Sequence, residues 1–197
     1  MNKRIKHLII DFKPITPRIW TLRIRGKFFI YSFINGHEPA EISDDEEKDG
    51  VFDVLQTAYD TSPINDTKIV LGNFNARVGK EPVNFPTIGN YSLHSLTNYN
   101  GSQLIQMKVS QNMITGSAFH PHKDIHKSKW RLPDGTTFNQ LEHLLIDRRH
   151  KSNLMDVRSY RDANIDSDHH LVIACQRARI SNVKQLALEP ENTMYQN

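Results

Sequence analysis

The longest nearly apolar stretch of the chain runs from Phe28 to Ile34, and Ser32 interrupts it. A run that short completes one strand or two helical turns, far below the ~20 apolar residues of a membrane-spanning helix. A core built from such pieces needs several short elements stacked in layers. The basic start of the chain carries only Leu8-Ile9-Ile10 as an apolar segment, shorter than the ~7–15 residues of a secretory signal. Cys175 is the single cysteine among 197 residues, so no internal disulfide can form, which suits a reducing compartment. The expectation is a soluble globular domain inside the cell, nuclear or cytoplasmic, with no membrane attachment. Cys175 itself, in an apolar strand, is expected in the core.

The patterns alternate between strands and helices. Ile19–Arg25 and Lys27–Asn35 are rich in β-branched and aromatic residues and meet at Gly26, which predicts a hairpin. The segment 43–60 opens with Ser43 and carries Glu46 three residues later, the spacing of a capping box. Phe52, Leu55 and Tyr59 follow at helical spacing behind an acidic first turn, as the helix dipole favours. Lys68 to Leu71 predicts a short buried strand running into Gly72-Asn73-Phe74-Asn75. A second helix is expected over Asn100–Asn112, carrying Leu104, Ile105 and Val109. Further strands are expected at Met113–Phe119, Thr136–Ile146, Leu154–Tyr160 and His170–Cys175. Many strands with few helices between them imply a sheet-dominated α/β layered domain over residues 1–180, followed by a loose tail at 181–197.

The net charge of +3 says little, but its distribution is uneven. Residues 38–49 hold seven acids against Lys48, whereas 120–161 hold nine Lys/Arg against five acids, with five histidines among them. The second cluster can contact phosphate or simply face solvent. The histidine spacings lack a second ligand pair for zinc.

Three segments carry chemical potential. Asn73 and Asn75 follow a buried strand, where side chains project into the loop region that forms sites. Asn139-Gln140-Leu141-Glu142-His143 places Gln140 and Glu142 on one face of a strand and Leu141 and His143 on the other. Asp166-Ser167-Asp168-His169-His170 stands at a strand entrance, with carboxylates for a hard cation and imidazole for a phosphate.

In this order, with Trp130 between the first two, the segments resemble the exonuclease-endonuclease-phosphatase superfamily, whose members carry G-D-F-N, then an I-D strand, then S-D-H. Longer stretches, among them KIVLGNFNARVGK, KWRLPDGTTFNQLEHLLIDRRHKSNLMDVRSYR and ANIDSDHHLV, are similar to the endonuclease region of arthropod non-LTR retrotransposons, including proteins of the craniofacial development protein 2-like kind. The similarity runs from about Arg4 to Ile180.

The resemblance implies a four-layered α/β sandwich that hydrolyses phosphodiesters of nucleic acid, chiefly DNA, with Mg²⁺ neutralising phosphate oxygens. It assigns Asn75 to phosphate holding, Asp168 to the metal, and His169 to phosphate contact, with Glu142 orienting His169. Trp130 supports the site, and His37 stands where relatives place a phosphate-contacting tyrosine. Asn73 occupies the position of the aspartate that handles the attacking water. A neutral amide is no base and draws no cation. Glu142 stands in place of a shorter aspartate, and a shift of ~1 Å can cost ~10²-fold where geometry is critical. The family's first asparagine and metal-binding glutamate lie upstream of the matching segment, so the resemblance also implies a domain lacking its first strands.

Two functional readings follow. One is a retroelement-derived, metal-dependent endonuclease impaired at Asn73 and Glu142. The other is an inactive relic that binds nucleic acid, or a protein through the acidic segment Asp44–Glu47, although no particular protein partner is identifiable.

Overall fold

The computed structural model describes residues 6–84, 88–89, 91–123, 130–131, 138–160 and 171–178. The predicted hairpin is present as β2 (Ile19–Arg25) and β3 (Ile30–His37), paired from Ile19↔Gly36 to Arg25↔Ile30. Gly26 opens the turn and its N–H donates to Phe29 O at 2.9 Å. A strand unforeseen in the sequence, β1 (Ile9–Pro14), pairs antiparallel with β2 on the outer side. Its mixed polar and apolar order, Ile-Ile-Asp-Phe-Lys-Pro, hides the alternation, and the register shifts between Ile9 and Asp11.

β4 (Thr67–Asn73) lies parallel to β3, and such a pair needs a crossover. Helix α1 (Asp45–Thr61) supplies it. The capping differs from the sequence expectation. Asp44 is the N-cap, its Oδ1 accepting from Glu47 N–H at 2.7 Å, so the Ser43/Glu46 box does not form. An aspartate caps as well as a serine, and Asp45, Glu46 and Glu47 then fill the first turn, where the dipole favours them. Gly50 is exposed with open space around it, so it weakens the helix without leaving a packing defect. Phe52, Leu55, Ala58 and Tyr59 form the buried face, as the spacing predicts.

Helix α2 (Tyr99–Ser110) starts one residue earlier than expected, and Asn98 caps it by accepting from Gly101 N–H at 2.9 Å. Leu104 and Met107 are buried, but Val109 faces solvent. β5 (Met113–Thr115) ends early. Gly116–Ala118 turns as a 3-10 helix instead of extending a strand to Phe119. A β-carbon on Gly116 would lie 2.6 Å from Leu154 Cδ2, so the chain must turn where it meets the next layer. The expected strand 136–146 is broken at Gln140–Leu141, between β7 (Phe138–Asn139) and β8 (Glu142–Asp147). β7 pairs with β6 (Trp130–Arg131). β9 (Leu154–Tyr160) and β10 (Leu171–Gln176) form an antiparallel ribbon.

Among the described residues, six strands make one sheet in the order β1-β2-β3-β4-β8-β5. Ile34, Val70 and Leu145 point to the helix side and join Leu55, Phe52, Phe74, Leu104 and Met107 in one core. Ile69, Leu144 and Ile146 point the other way and meet Leu154 and Val157 of the β9–β10 ribbon. Each such side chain contributes about 1.5–3 kcal/mol when buried. Helices, sheet and second sheet are three stacked layers of the expected mixed α/β class. Cys175 is a correction: it is exposed on β10. β10 has β9 on one side only among the described residues, and an apolar run in a strand with one neighbour need not be buried on both faces. No helix among the described residues is long and apolar enough to cross a membrane. The expected tail at 181–197 lies outside the described residues.

Candidate active site

The close approach of two backbones sets the site. Gly72 near the end of β4 pairs with Gly36 of β3, and its φ is +150°. A β-carbon at Gly72 would overlap the Gly36 carbonyl oxygen. One step further, His37, Asn73 and Glu142 stand side by side, because His37↔Asn73 and Asn73↔Glu142 are direct cross-strand partners. Paired residues share a face with β-carbons ~4.5–5.5 Å apart. The three side chains therefore form one row where the parallel strands β3 and β4 end and β8 begins. This is the end of a sheet at which ligands commonly bind.

Phe74 is fully buried and anchors the following loop in the helix-side core, its N–H donating to Leu141 O at 3.0 Å. Asn73 Oδ1 accepts from Asn75 N–H at 3.0 Å, a side-chain turn that leaves the Asn73 amide N–H groups as its polar face. Asn75 takes a left-handed backbone at φ 47°, which asparagine tolerates better than most residues. Its Nδ2 donates to Glu38 O at 2.9 Å and Pro39 O at 3.1 Å. Both of its amide hydrogens thus brace the loop 38–39.

Two more asparagines complete the brace. Asn98 Nδ2 donates to Asn75 O at 3.0 Å while its Oδ1 accepts from Arg77 N–H at 2.8 Å. Buried Asn100 donates to Phe74 O at 3.1 Å. These residues were not singled out in the sequence. Their only signal is asparagine at and just after a helix start, which reads as capping alone.

Glu38 was also hidden, inside an acidic run that reads as solvated. It continues the inward alternation Ile34, Gly36, Glu38 past the end of β3, and it is fully buried with no hydrogen bond to either carboxyl oxygen. Burial raises its pKa to about 8, against the opposing pull of the Arg18 charge. Arg18 NH2 donates to Glu47 Oε1 at 3.3 Å, and its NH1 lies 3.5 Å from His37 Nδ1. A guanidinium therefore stands beside the row.

The interruption before β8 corrects the alternation expected for 139–143. Gln140 is buried instead of sharing the face of Glu142, and its Oε1 accepts from Leu93 N–H at 3.3 Å. His94 Nε2 accepts from Gln140 N–H at 3.1 Å. Burial lowers the His94 pKa, helped by the Arg77 charge, so the neutral ring serves as acceptor. His143 is a core imidazole whose Nε2 meets Ala76 O at 2.8 Å. Of the sequence candidates, the fold brings His37, Asn73 and Glu142 together and sets Asn75 in the adjoining loop. Trp130 is in β6 opposite Asn139, two residues before Leu141. Asp168 and His169 lie outside the described residues. No three His, Cys, Asp or Glu side chains gather as metal ligands among the described residues.

No protein-family model matches the chain. Over 180 residues it is 24% identical to craniofacial development protein 2 of Bos taurus and 25% identical to that of Tragulus javanicus. Those alignments cover 91% of this chain but only 30% and 31% of the relatives, so the chain spans about a third of their length. Among solved structures, the 3'-5' exonuclease NExo of Neisseria meningitidis superposes with a TM-score of 0.62 at 19% identity, covering 86% of this chain and 72% of that one. The endonuclease domain of TRAS1, a telomere-specific non-LTR retrotransposon, gives 0.58 at 13% identity, covering 87% and 69%. The chain shares the mixed α/β fold of these two nucleases.

Proposed function

We propose that this chain is a phosphodiesterase-type domain of retroelement descent that engages nucleic acid, chiefly DNA, and whose hydrolysis is impaired. The observation that carries the reading is the row itself: an amide, Asn73, stands between His37 and Glu142 on the nuclease fold. Its N–H groups, with the Arg18 guanidinium and His37 close by, suit a phosphate oxygen. The Asn73 amide takes no proton from water as an aspartate at position 73 would.

The Mg²⁺ implied by the fold family does not fit the described donors. Mg²⁺ prefers hard, charged oxygens in octahedral array. The row offers one carboxylate, Glu142, beside an amide and an imidazole. Asp168, the proposed metal residue, is outside the described part. Glu142 keeps a proposed orienting role and His169 a proposed phosphate role, whereas Asn75, its two amide hydrogens spent on Glu38 O and Pro39 O, is proposed to brace the loop beside the phosphate.

Supercoiled-plasmid nicking with Mg²⁺ tests the reading. The chain should nick at least ~10²-fold more slowly than Asn73→Asp/Glu142→Asp. Robust nicking by the unaltered chain, abolished by His169→Ala, would overturn the impairment. The inactive-binder alternative is favoured by the same Asn73 and requires salt-dependent DNA affinity without nicking in either protein.

A further inference from the structure

β8 opens with Glu142 in the catalytic row and closes with Asp147, about 17 Å away at strand rise. At that far end the chain turns through Arg148-Arg149-His150-Lys151 in the 3-10 segment Arg148–Asn153. Here lies a cavity of about 430 Å³. Ile114, Phe119 and Leu154 supply apolar wall, and His120, Arg148 and Lys151 supply the polar wall. Three features make this a site and not a basic surface.

The turn is fastened from below. Arg149 Nε pairs with Asp147 Oδ2 at 2.8 Å, and its NH2 donates to Ile64 O at 3.1 Å. Arg148 Nε donates to Asn112 Oδ1 at 3.0 Å, which fixes the plane of its guanidinium at the cavity wall. Lys151 Nζ sits 3.9 Å above the Phe119 ring centroid, so a cation is held against an aromatic surface. Asp156, whose charge acts on His120, is engaged by His122 at 2.6 Å and Arg158 at 3.5 Å. Among the described residues that line the cavity, the charged ones are cationic, Arg148, Arg149 and Lys151, with no carboxylate.

A bare inorganic anion would fill only part of this volume and would leave the apolar wall wet. A protein surface would not enter a cavity this small, which falls in the range of small-molecule sites. From the juxtaposition of Arg148, Lys151 and Phe119 around one cavity we infer a second binding site, for a nucleoside monophosphate group, with phosphate on the cations and the base against Phe119 and Leu154. The group can be a free nucleotide or the phosphorylated end of a strand. The site is separate from the row and does not depend on the proposed hydrolytic descent.

Calorimetric titration of the full chain with dAMP, deoxyadenosine and inorganic phosphate tests the inference. Saturable dAMP binding is expected, with each half-ligand at least ~10-fold weaker. Lys151→Gln and Arg148→Gln should each weaken dAMP ~10-fold with unchanged thermal melting, and Lys13→Gln, at an exposed position of β1, should leave it unaltered. A 5'-phosphorylated oligonucleotide binding more tightly than dAMP would identify the strand end as the source, and the reverse would identify the free nucleotide. Absence of saturation at about 10 mM, inorganic phosphate matching dAMP, or loss of binding in Lys13→Gln with retention in Lys151→Gln would overturn it.

Discussion

Asn73, the last residue of β4, and Glu142, the first of β8, are direct cross-strand partners, so an amide and a carboxylate share one rung at the mouth of the sheet. The pairing is electrostatically quiet: one charge and one dipole, with Arg18 nearby. Among the described residues this rung carries a single carboxylate, short of the negative charge a divalent cation needs.

Asn73→Asp would place two carboxylates on that rung. Like charges directly opposite cost about 0.2–1 kcal/mol in water-exposed sheets, and somewhat more when half-buried. The variant should melt a few degrees below the parent in chelator and recover in millimolar Mg²⁺, whereas the parent should show no Mg²⁺-dependent shift. Calorimetric melting with and without the ion reads this directly. An equal shift in both proteins would mean that the cation binds elsewhere.

Glu38 should make stability fall as pH rises. Its folded pKa of about 8 lies above the ordinary carboxyl value of 4.5, so between those pH values the folded state holds a proton that the unfolded state has lost. The contribution is fully present below pH 4.5 and is lost as pH climbs to 8. Glu38→Gln keeps the shape without the charge and forfeits no hydrogen bond. It should stabilise by about 2–4 kcal/mol at pH 8.5 and by little at pH 4.5, measured by urea unfolding across that range. A pH-independent effect would place Glu38 in solvent.

How far such residues were legible depended on whether their burial was decided locally. Helix α1 was readable because Phe52, Leu55 and Tyr59 repeat at helical spacing, and β4 because its apolar run carries its own burial. Asn73 and Glu142 each stand out in the sequence, but their shared rung does not, since β4 and β8 are distant in sequence and register is a tertiary property. Glu38 sits among acids and is inside only because the alternation of β3 carries past its end. Cys175 misled in the opposite direction: its apolar neighbours suggested a two-sided strand, and β10 has one described neighbour. A bulge near Ile9 breaks the period of β1 and hides the strand in the sequence.

Lys108 gives the complementary pH dependence. It is fully buried on α2 with no hydrogen bond to Nζ, and burial lowers its pKa to about 7, with the Arg148 charge acting in the same direction. Between pH 7 and its ordinary 10.5 the unfolded chain holds the extra proton, so this residue makes stability rise with pH over that interval. Lys108→Met keeps the length and removes the charge. It should stabilise by ~2 kcal/mol or more at pH 6.5, with the gain shrinking toward pH 10. Urea midpoints at the two pH values decide it, and a gain larger at pH 10 would sink the assignment.

Gly72→Ala tests the backbone contact on which the row depends. The added β-carbon would overlap the Gly36 carbonyl oxygen, a backbone atom that cannot swing aside, and the φ of +150° already excludes ordinary L side chains. Moving either strand would pull His37 from Asn73, since the two pairs are consecutive rungs of one ladder. The expected cost is ~3 kcal/mol or more, enough to unfold a marginal domain. Gly50→Ala is the matched control: Gly50 is helical and open to solvent, so alanine there should stabilise by ~0.5–1 kcal/mol. Parallel urea titrations should therefore move the two midpoints in opposite directions. A Gly72→Ala midpoint at or above the parent's would show that β3 and β4 do not approach as closely as the row requires.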